Sequence, residues 1–163
     1  RGDRVAAAGD HFDAAIPQHA VGAWREGVGA RASARWPAFL AQAREQGRRR
    51  SARLATIAGL RVIADSAGAQ GSWPALLVLL PDAAARERAL AQLWPRGLGV
   101  GLLFVHALPD YAYLHGIVDA TPMPHARDFA ARCMSISNSP WLDEDGFEAI
   151  VAVLRRVCTE SGS

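Results

Sequence analysis

The sequence predicts an α+β domain: a long N-terminal helix, expected to be kinked, followed by a small, mostly antiparallel sheet with helices packed on one face. Two observations predict this class. Apolar residues recur at helical spacing over the first third of the chain, and after Gly59 short apolar runs of strand length alternate with helical segments. With 163 residues, 50% of them hydrophobic, the chain can bury a core of its own.

The first element is a helical arm over residues 16–58, preceded by a lead-in of residues 1–15. Apolar side chains recur every three or four positions within it: Val21, Trp24, Val28, Trp36, Phe39, Leu40, Leu54 and Ile57. Pro17 suits a first helical turn. Pro37 is expected to kink the helix or divide it in two, because proline removes one N–H donor and crowds the preceding turn.

Residues 59–160 are predicted to form a small α/β domain. Strands are expected at apolar runs bounded by turn residues, namely 60–63, 73–80, 98–105 and, as a weaker candidate, 133–137. Helices are expected at 83–94, 125–132 and 145–158. Asp82 and Asp143 are the predicted N-caps of the first and last of these helices. Gly97 and Gly99 precede a strand and open no helix, so they indicate a helix C-cap and a turn rather than a dinucleotide loop.

Charge and composition exclude several classes of partner. The 18 basic and 16 acidic residues nearly balance, and every basic residue is an arginine, so the chain contains no lysine. A net charge of +2 argues against nucleic acid or an anionic membrane as the main partner. The longest apolar runs are of strand length, and the first residues lead into no signal peptide. We therefore expect a cytoplasmic protein.

Metal and nucleophile chemistry find no support in the sequence. The histidines are scattered, and no Cys/His spacing suits a metal, so none is predicted. No serine lies in a Gly-x-Ser-x-Gly elbow. Cys133 and Cys158 lie far apart without a Cys-x-x-Cys motif, which favours buried free thiols in a reducing cytosol, while a disulfide between them stays open.

Five segments follow one another in an order that matches a known family: His11-Phe12-Asp13, Gln18-His19-Ala20, the arginine-rich run 48–54, the unit 81–100 with Pro81-Asp82 and Arg96-Gly97, and the loop 104–114. The closing segment, with Pro140, Leu142 and Glu144-Asp145, fits as well. In this order, over residues 11–157, the chain resembles the interdomain helix and C-terminal small domain of the DegT/DnrJ/StrS family. These are pyridoxal-phosphate (PLP) sugar aminotransferases of the aspartate-aminotransferase fold.

The resemblance implies a parent enzyme that transfers an amino group to a keto-sugar nucleotide, uses PLP and works as a dimer. This chain supplies no catalytic residue and is expected to bind no cofactor alone, because the family's large domain and Schiff-base lysine are absent from it. The alternative is a non-catalytic binding or assembly module derived from the fold. The implied partners are a second copy or a large aminotransferase domain, with self-association through Trp24 and Trp36.

The resemblance also implies site residues. His11 stands where the family offers an asparagine to the PLP phosphate of the partner subunit, although Asp13 replaces an arginine there and would repel phosphate. His106, Tyr111 and Tyr113 lie in the substrate loop, where they are expected to contact a nucleotide-sugar. The alternative is that the tyrosines pack on the domain edge with their hydroxyls in water. The run Arg48-Arg49-Arg50 is expected to be a solvated helix face paired with groups such as Glu45.

Overall fold

The computed structural model describes residues 20–119 and 121–161 and confirms the predicted α+β class. Its first element is a single helix, α1, over Ala23–Leu54, about 48 Å long at 1.5 Å per residue. Pro37 lies inside this helix without dividing it, because proline removes only one donor from a ladder that continues on both sides. Pro17 lies outside the described residues, but residues 20–22 are described and not helical, so α1 begins later than the predicted arm of residues 16–58.

The sheet has four strands in the order β1-β2-β4-β3, and every pair is antiparallel. The strands are β1 (Arg61–Val62), β2 (Ala75–Leu79), β3 (Val100–Gly101) and β4 (Cys133–Ser137). The weakest candidate of the sequence, β4, is thus a central strand, paired with β2 along all five residues. Its two serines explain the weak signal, since both lie on the face turned away from the apolar core.

The three remaining helices are α2 (Ala83–Leu93), α3 (Pro124–Arg132) and α4 (Glu144–Glu160). The two predicted N-caps are confirmed: the Asp82 carboxylate accepts from the Ala85 N–H at 2.7 Å, and Asp143 accepts from Gly146 at 2.8 Å. Short 3₁₀ turns lie at Trp94–Arg96, Leu108–Asp110 and Ala112–Leu114. Gly97 ends the first of them with a φ of 64°, as the predicted C-cap.

The core lies between one face of the sheet and the helices α2 and α4. Alternate residues of β2 and β4 enter it, as the period of two in a strand requires: Leu76, Val78, Met134 and Ile136. Apolar residues of α2 and α4 cover them, and Leu54 and Ile57 join from the end of α1 and the turn after it. The helices are therefore packed on one face, as expected. The cysteines Cys133 and Cys158 are buried free thiols, also as expected.

Three predicted strands are shorter in the structure, and of the run 60–63 only Arg61–Val62 form β1. The run 98–105 pairs with β4 only at Val100 and Gly101, and the chain beyond leaves the sheet as a loop. The run 73–80 loses its first residues because Trp73 has a φ of 56°, a left-handed conformation that does not fit a strand. Among the described residues, no helix is long and apolar enough to cross a membrane.

Candidate functional site

The loop that follows β3 carries all three predicted substrate residues that the structure describes. Two consecutive 3₁₀ turns shape it, one over Leu108–Asp110 and the other over Ala112–Leu114. Backbone bonds from Asp110 N–H to the Ala107 carbonyl and from Leu114 N–H to the Tyr111 carbonyl, both 2.9 Å, close these turns. The two turns shorten the loop, so side chains that would be far apart in an extended chain lie close together on the surface.

His106, Tyr111 and Tyr113 form a continuous aromatic row on this loop. The ring centroids of His106 and Tyr111 are 5.2 Å apart at an interplanar angle of 81°, an edge-on contact. The rings of Tyr111 and Tyr113 are 5.4 Å apart with a tilt of 47°. His106 and Tyr113 are exposed, whereas Tyr111 between them is half-buried. The row offers ring faces, hydroxyls and an imidazole to a ligand at the surface.

A charged fork joins the aromatic row to helix α3. The Arg127 guanidinium donates from Nε to the two carboxylate oxygens of Asp110 at 3.1 and 2.9 Å, and from Nη2 to Oδ1 at 2.7 Å. The hydrogen bonds from Arg127 hold the pKa of the Asp110 carboxyl below its usual range, with smaller contributions from His106 and His115. Both charges of the fork are therefore present at neutral pH.

The sequence reasoning identified the row but missed the fork. Asp110 follows Pro109 as an ordinary turn residue, and Arg127 lies 17 positions away on another element, so no local spacing links them. The remaining predicted site residue, His11, lies outside the described residues, as do Phe12, Asp13 and the Gln18-His19 pair. Among the described residues, no group of three His, Cys, Asp or Glu side chains is placed to hold a metal ion.

A second polar cluster seats α1 on the small domain. Asn138, buried after β4, donates from Nδ2 to the Ala43 carbonyl at 2.8 Å and to the Trp73 carbonyl at 2.9 Å. Gln46 in turn donates to the Asn138 side-chain oxygen at 3.1 Å. The helix approaches closely at Gly47, where an added Cβ would lie 3.1 Å from the Trp73 side chain. We call this cluster the seat of α1.

The arginine run beside the seat is only partly the solvated face that we expected. Arg48 pairs with Glu45 at the surface, as predicted, but Arg50 is only 3% exposed. Its guanidinium lies 4.9 Å from the centroid of the Phe147 ring and donates to the Leu142 carbonyl. Burial is the main cause that lowers the Arg50 pKa, while nearby Glu144 opposes the shift. Arg50 therefore joins α1 to the start of α4 instead of facing solvent.

Known proteins resemble this chain in structure but not detectably in sequence. No family model matches the sequence, and no curated protein matches it. The structure does match solved structures. The aminotransferase TlmJ from Streptoalloteichus hindustanus superposes with a TM-score of 0.65 at 23% identity, over 83% of this chain and 36% of TlmJ. DesI, solved in the presence of its TDP-sugar product, matches with a TM-score of 0.66 at 19% identity, over 78% of this chain and 33% of DesI.

Two further structures support the same fold. 3-Amino-5-hydroxybenzoic acid synthase matches with a TM-score of 0.66 at 16% identity, and Spr1654 from Streptococcus pneumoniae, solved in a PLP-form, matches with 0.65 at 16%. The chain spans about a third of the length of each of these proteins. At such identities the likeness shows a shared fold and no more. The chain therefore has the fold of one part of these larger enzymes.

Proposed function

We propose that these residues are the small-domain portion of a PLP-dependent aminotransferase that acts on a keto-sugar nucleotide. The fold match carries this proposal: about four fifths of the chain superposes on a third of an aminotransferase, and DesI was solved with a TDP-sugar. The collinear motifs that resemble the DegT/DnrJ/StrS family support it further. In this assignment α1 is the interdomain helix, and residues 59–160 are the small domain.

The aromatic row is the substrate-facing part of this proposal. Tyrosine rings stack on a flat nucleobase or pack against a sugar ring, and their hydroxyls bond its oxygens. His106, Tyr111 and Tyr113 lie side by side on the same loop, with His106 and Tyr113 open to solvent. The alternative is that the tyrosines pack on the domain edge with their hydroxyls in water, and the continuity of the row is what favours a ligand-binding role over it.

The residues present do not fit PLP as a group held covalently by this chain. PLP enzymes anchor the cofactor through a lysine that also moves the proton, and the chain contains no lysine. The Arg127 guanidinium beside the row is already occupied by Asp110, the residue before Tyr111. We therefore assign this chain a role in holding the substrate and place the cofactor chemistry in the remainder of the parent enzyme.

The test is the source polypeptide, purified intact. We expect a mass well above that of the 163 residues, at least one lysine outside them, and an absorbance band of PLP that disappears on reduction with borohydride. A colourless polypeptide of this length would refute the enzymatic proposal. It would favour the second candidate, a non-catalytic binding or assembly module with the same fold.

The exposed part of α1 supports a proposal about partners. All residues from 20 to 39 are exposed, including Trp24 at 79% and Trp36 at 52%. Large apolar side chains grouped in this way mark an interaction surface. We propose that a large aminotransferase domain or a second copy of the chain covers it, and that a homodimer forms when the chain is alone. The buried free thiols support a cytoplasmic location.

Sedimentation velocity tests the partner proposal. The double variant Trp24→Glu, Trp36→Glu is expected to shift the chain from dimer to monomer, because it places two carboxylates on the proposed contact. Trp141→Glu is the matched control, since Trp141 is 90% exposed but lies outside α1. A wild-type chain that stays monomeric at high concentration would contradict self-association.

A further inference from the structure

The loop that carries the aromatic row has few packing anchors of its own. Between residues 102 and 119, Ala107 is the single buried residue. Loops of this kind hold one conformation only when bonds to a rigid element restrain them. The orientation of the row therefore depends on contacts outside the loop.

Helix α3 supplies two such contacts. Arg127 makes its three-bond fork with Asp110, the residue directly before Tyr111 and the last residue of the first 3₁₀ turn. Two residues further along α3, the Phe129 ring meets the Phe104 ring edge-on at 5.6 Å, near the start of the loop. Of the two, the fork lies nearer to the row, and it fixes direction as well as distance because a guanidinium and a carboxylate are both planar.

We infer that Arg127 is a positioning residue: through Asp110 it sets the orientation of the His106-Tyr111-Tyr113 row for the substrate. The inference deepens the proposed function and rests on it for the identity of the ligand. Arg127 acts indirectly, since its guanidinium is neutralised by Asp110. A lysine would keep the charge but lose the planar two-point grip, so Arg127→Lys separates geometry from charge.

The first measurement needs no ligand. In a nuclear Overhauser spectrum of the full chain, cross-peaks between the rings of His106 and Tyr111 report the row directly. We expect them in the wild type and expect their loss in Arg127→Lys and in Asp110→Asn. The charge-swapped double variant Asp110→Arg, Arg127→Asp is expected to restore them. Unchanged cross-peaks in Arg127→Lys would overturn the inference.

The second measurement uses thymidine diphosphate as the probe, in a calorimetric titration. We expect Arg127→Lys to bind the probe at least about tenfold more weakly than wild type, because displaced contacts lose most of their value. If the wild type does not bind the probe while Arg127→Lys still loses the cross-peaks, the positioning role stands and the nucleotide-sugar proposal fails. If Arg127→Lys binds as tightly as wild type, the positioning role fails.

Arg132→Lys is the matched control for both measurements. Arg132 lies on the same helix and also forks with an aspartate, donating from Nε and Nη2 to Asp128 at 3.0 and 2.7 Å. Outside α3 its guanidinium donates to the Leu80 and Pro81 carbonyls, which do not belong to the loop. Cross-peaks and probe binding are expected to stay at wild-type levels in this variant. Their loss in Arg132→Lys would reduce the Arg127 effect to general loosening of α3 and overturn the inference.

Discussion

The two halves of α1 have the same secondary structure and opposite environments. Residues 23–39, the free half, contact nothing else that the structure describes closely enough to bury a single side chain, although Trp24, Trp36 and Phe39 are among them. In residues 43–54, the seated half, Gly47, Arg50 and Leu54 are buried. This half is also hydrogen-bonded to Asn138 of the small domain. Helical periodicity therefore identifies an apolar face without identifying what covers it.

Thiol accessibility should show the largest difference between the packed body and the free half. Burial raises the pKa of both Cys133 and Cys158, so their thiols stay protonated and unreactive in the folded chain. If these thiols react only after global unfolding, their reaction with Ellman's reagent is expected to be at least about 1,000-fold slower than that of a free thiol. The rate of colour development measures this difference. A cysteine introduced at Val28 is the control, expected to react at once; equally fast reaction of the native thiols would mean that the body is loosely packed.

Truncating one apolar side chain in each half of α1 shows how much each half contributes to the free energy of unfolding. Leu54 is fully buried, so Leu54→Ala is expected to lower the free energy of unfolding by about 2–5 kcal/mol. Val28 is 48% exposed, and Val28→Ala is expected to change it by less than about 0.5 kcal/mol. Urea denaturation of dilute protein provides both values. Similar losses in the two variants would show that the free half is packed in solution.

Removal of the Asn138 amide tests the seat itself. In Asn138→Leu the Ala43 and Trp73 carbonyls lose a buried donor, and the free energy of unfolding is expected to fall by about 1–3 kcal/mol. The free half should be unaffected, because the helix ladder does not pass through Asn138. Gln42→Leu, which removes an exposed amide on α1, is the control and is expected to be nearly neutral. A neutral Asn138→Leu would exclude the seat as an anchor.

The smallest expected effect is a pH dependence confined to the seated half. Arg53 donates to both oxygens of Glu148 at 2.8 and 2.7 Å, and this bonding lowers the Glu148 pKa in the folded state. A lowered carboxyl pKa stabilises the fold above the ordinary value of 4.5, and the contribution disappears as pH falls through the lower, folded value. Glu148→Gln should flatten the loss of melting temperature below about pH 5, while Glu26→Gln in the free half should not.

Much of the fold could be predicted because the signals are local. Helical spacing predicted α1, α2 and α4, and aspartates before apolar runs predicted two N-caps. The limits of β3 could not be read from its apolar run, because the chain leaves the sheet after Gly101 although β4 continues to Cys133. The left-handed conformation of Trp73 was equally invisible, because non-glycine residues rarely adopt it and no local pattern in the sequence indicates it.

The candidate site also has a part that could be predicted from the sequence and a part that could not. His106, Tyr111 and Tyr113 lie within eight residues, so a sequence pattern could group them. Asp110 and Arg127 are joined only because α3 returns beside the loop, and Arg50 is buried only because α4 begins against α1. Contacts between distant segments carry no spacing signal in a single sequence. His11 keeps its proposed role as a contact of the PLP phosphate across a dimer, which rests on the family resemblance alone.

The placement of the five tryptophans has a spectroscopic consequence. Four are well exposed, Trp24, Trp36, Trp94 and Trp141, and Trp73 at the seat is half-buried, so none lies in the core. The intrinsic fluorescence of the folded chain should therefore resemble that of an unfolded protein, with emission at long wavelength, and it should be quenched readily by iodide. When a partner covers the free half of α1, the emission should shift to the blue, giving a binding signal that needs no label.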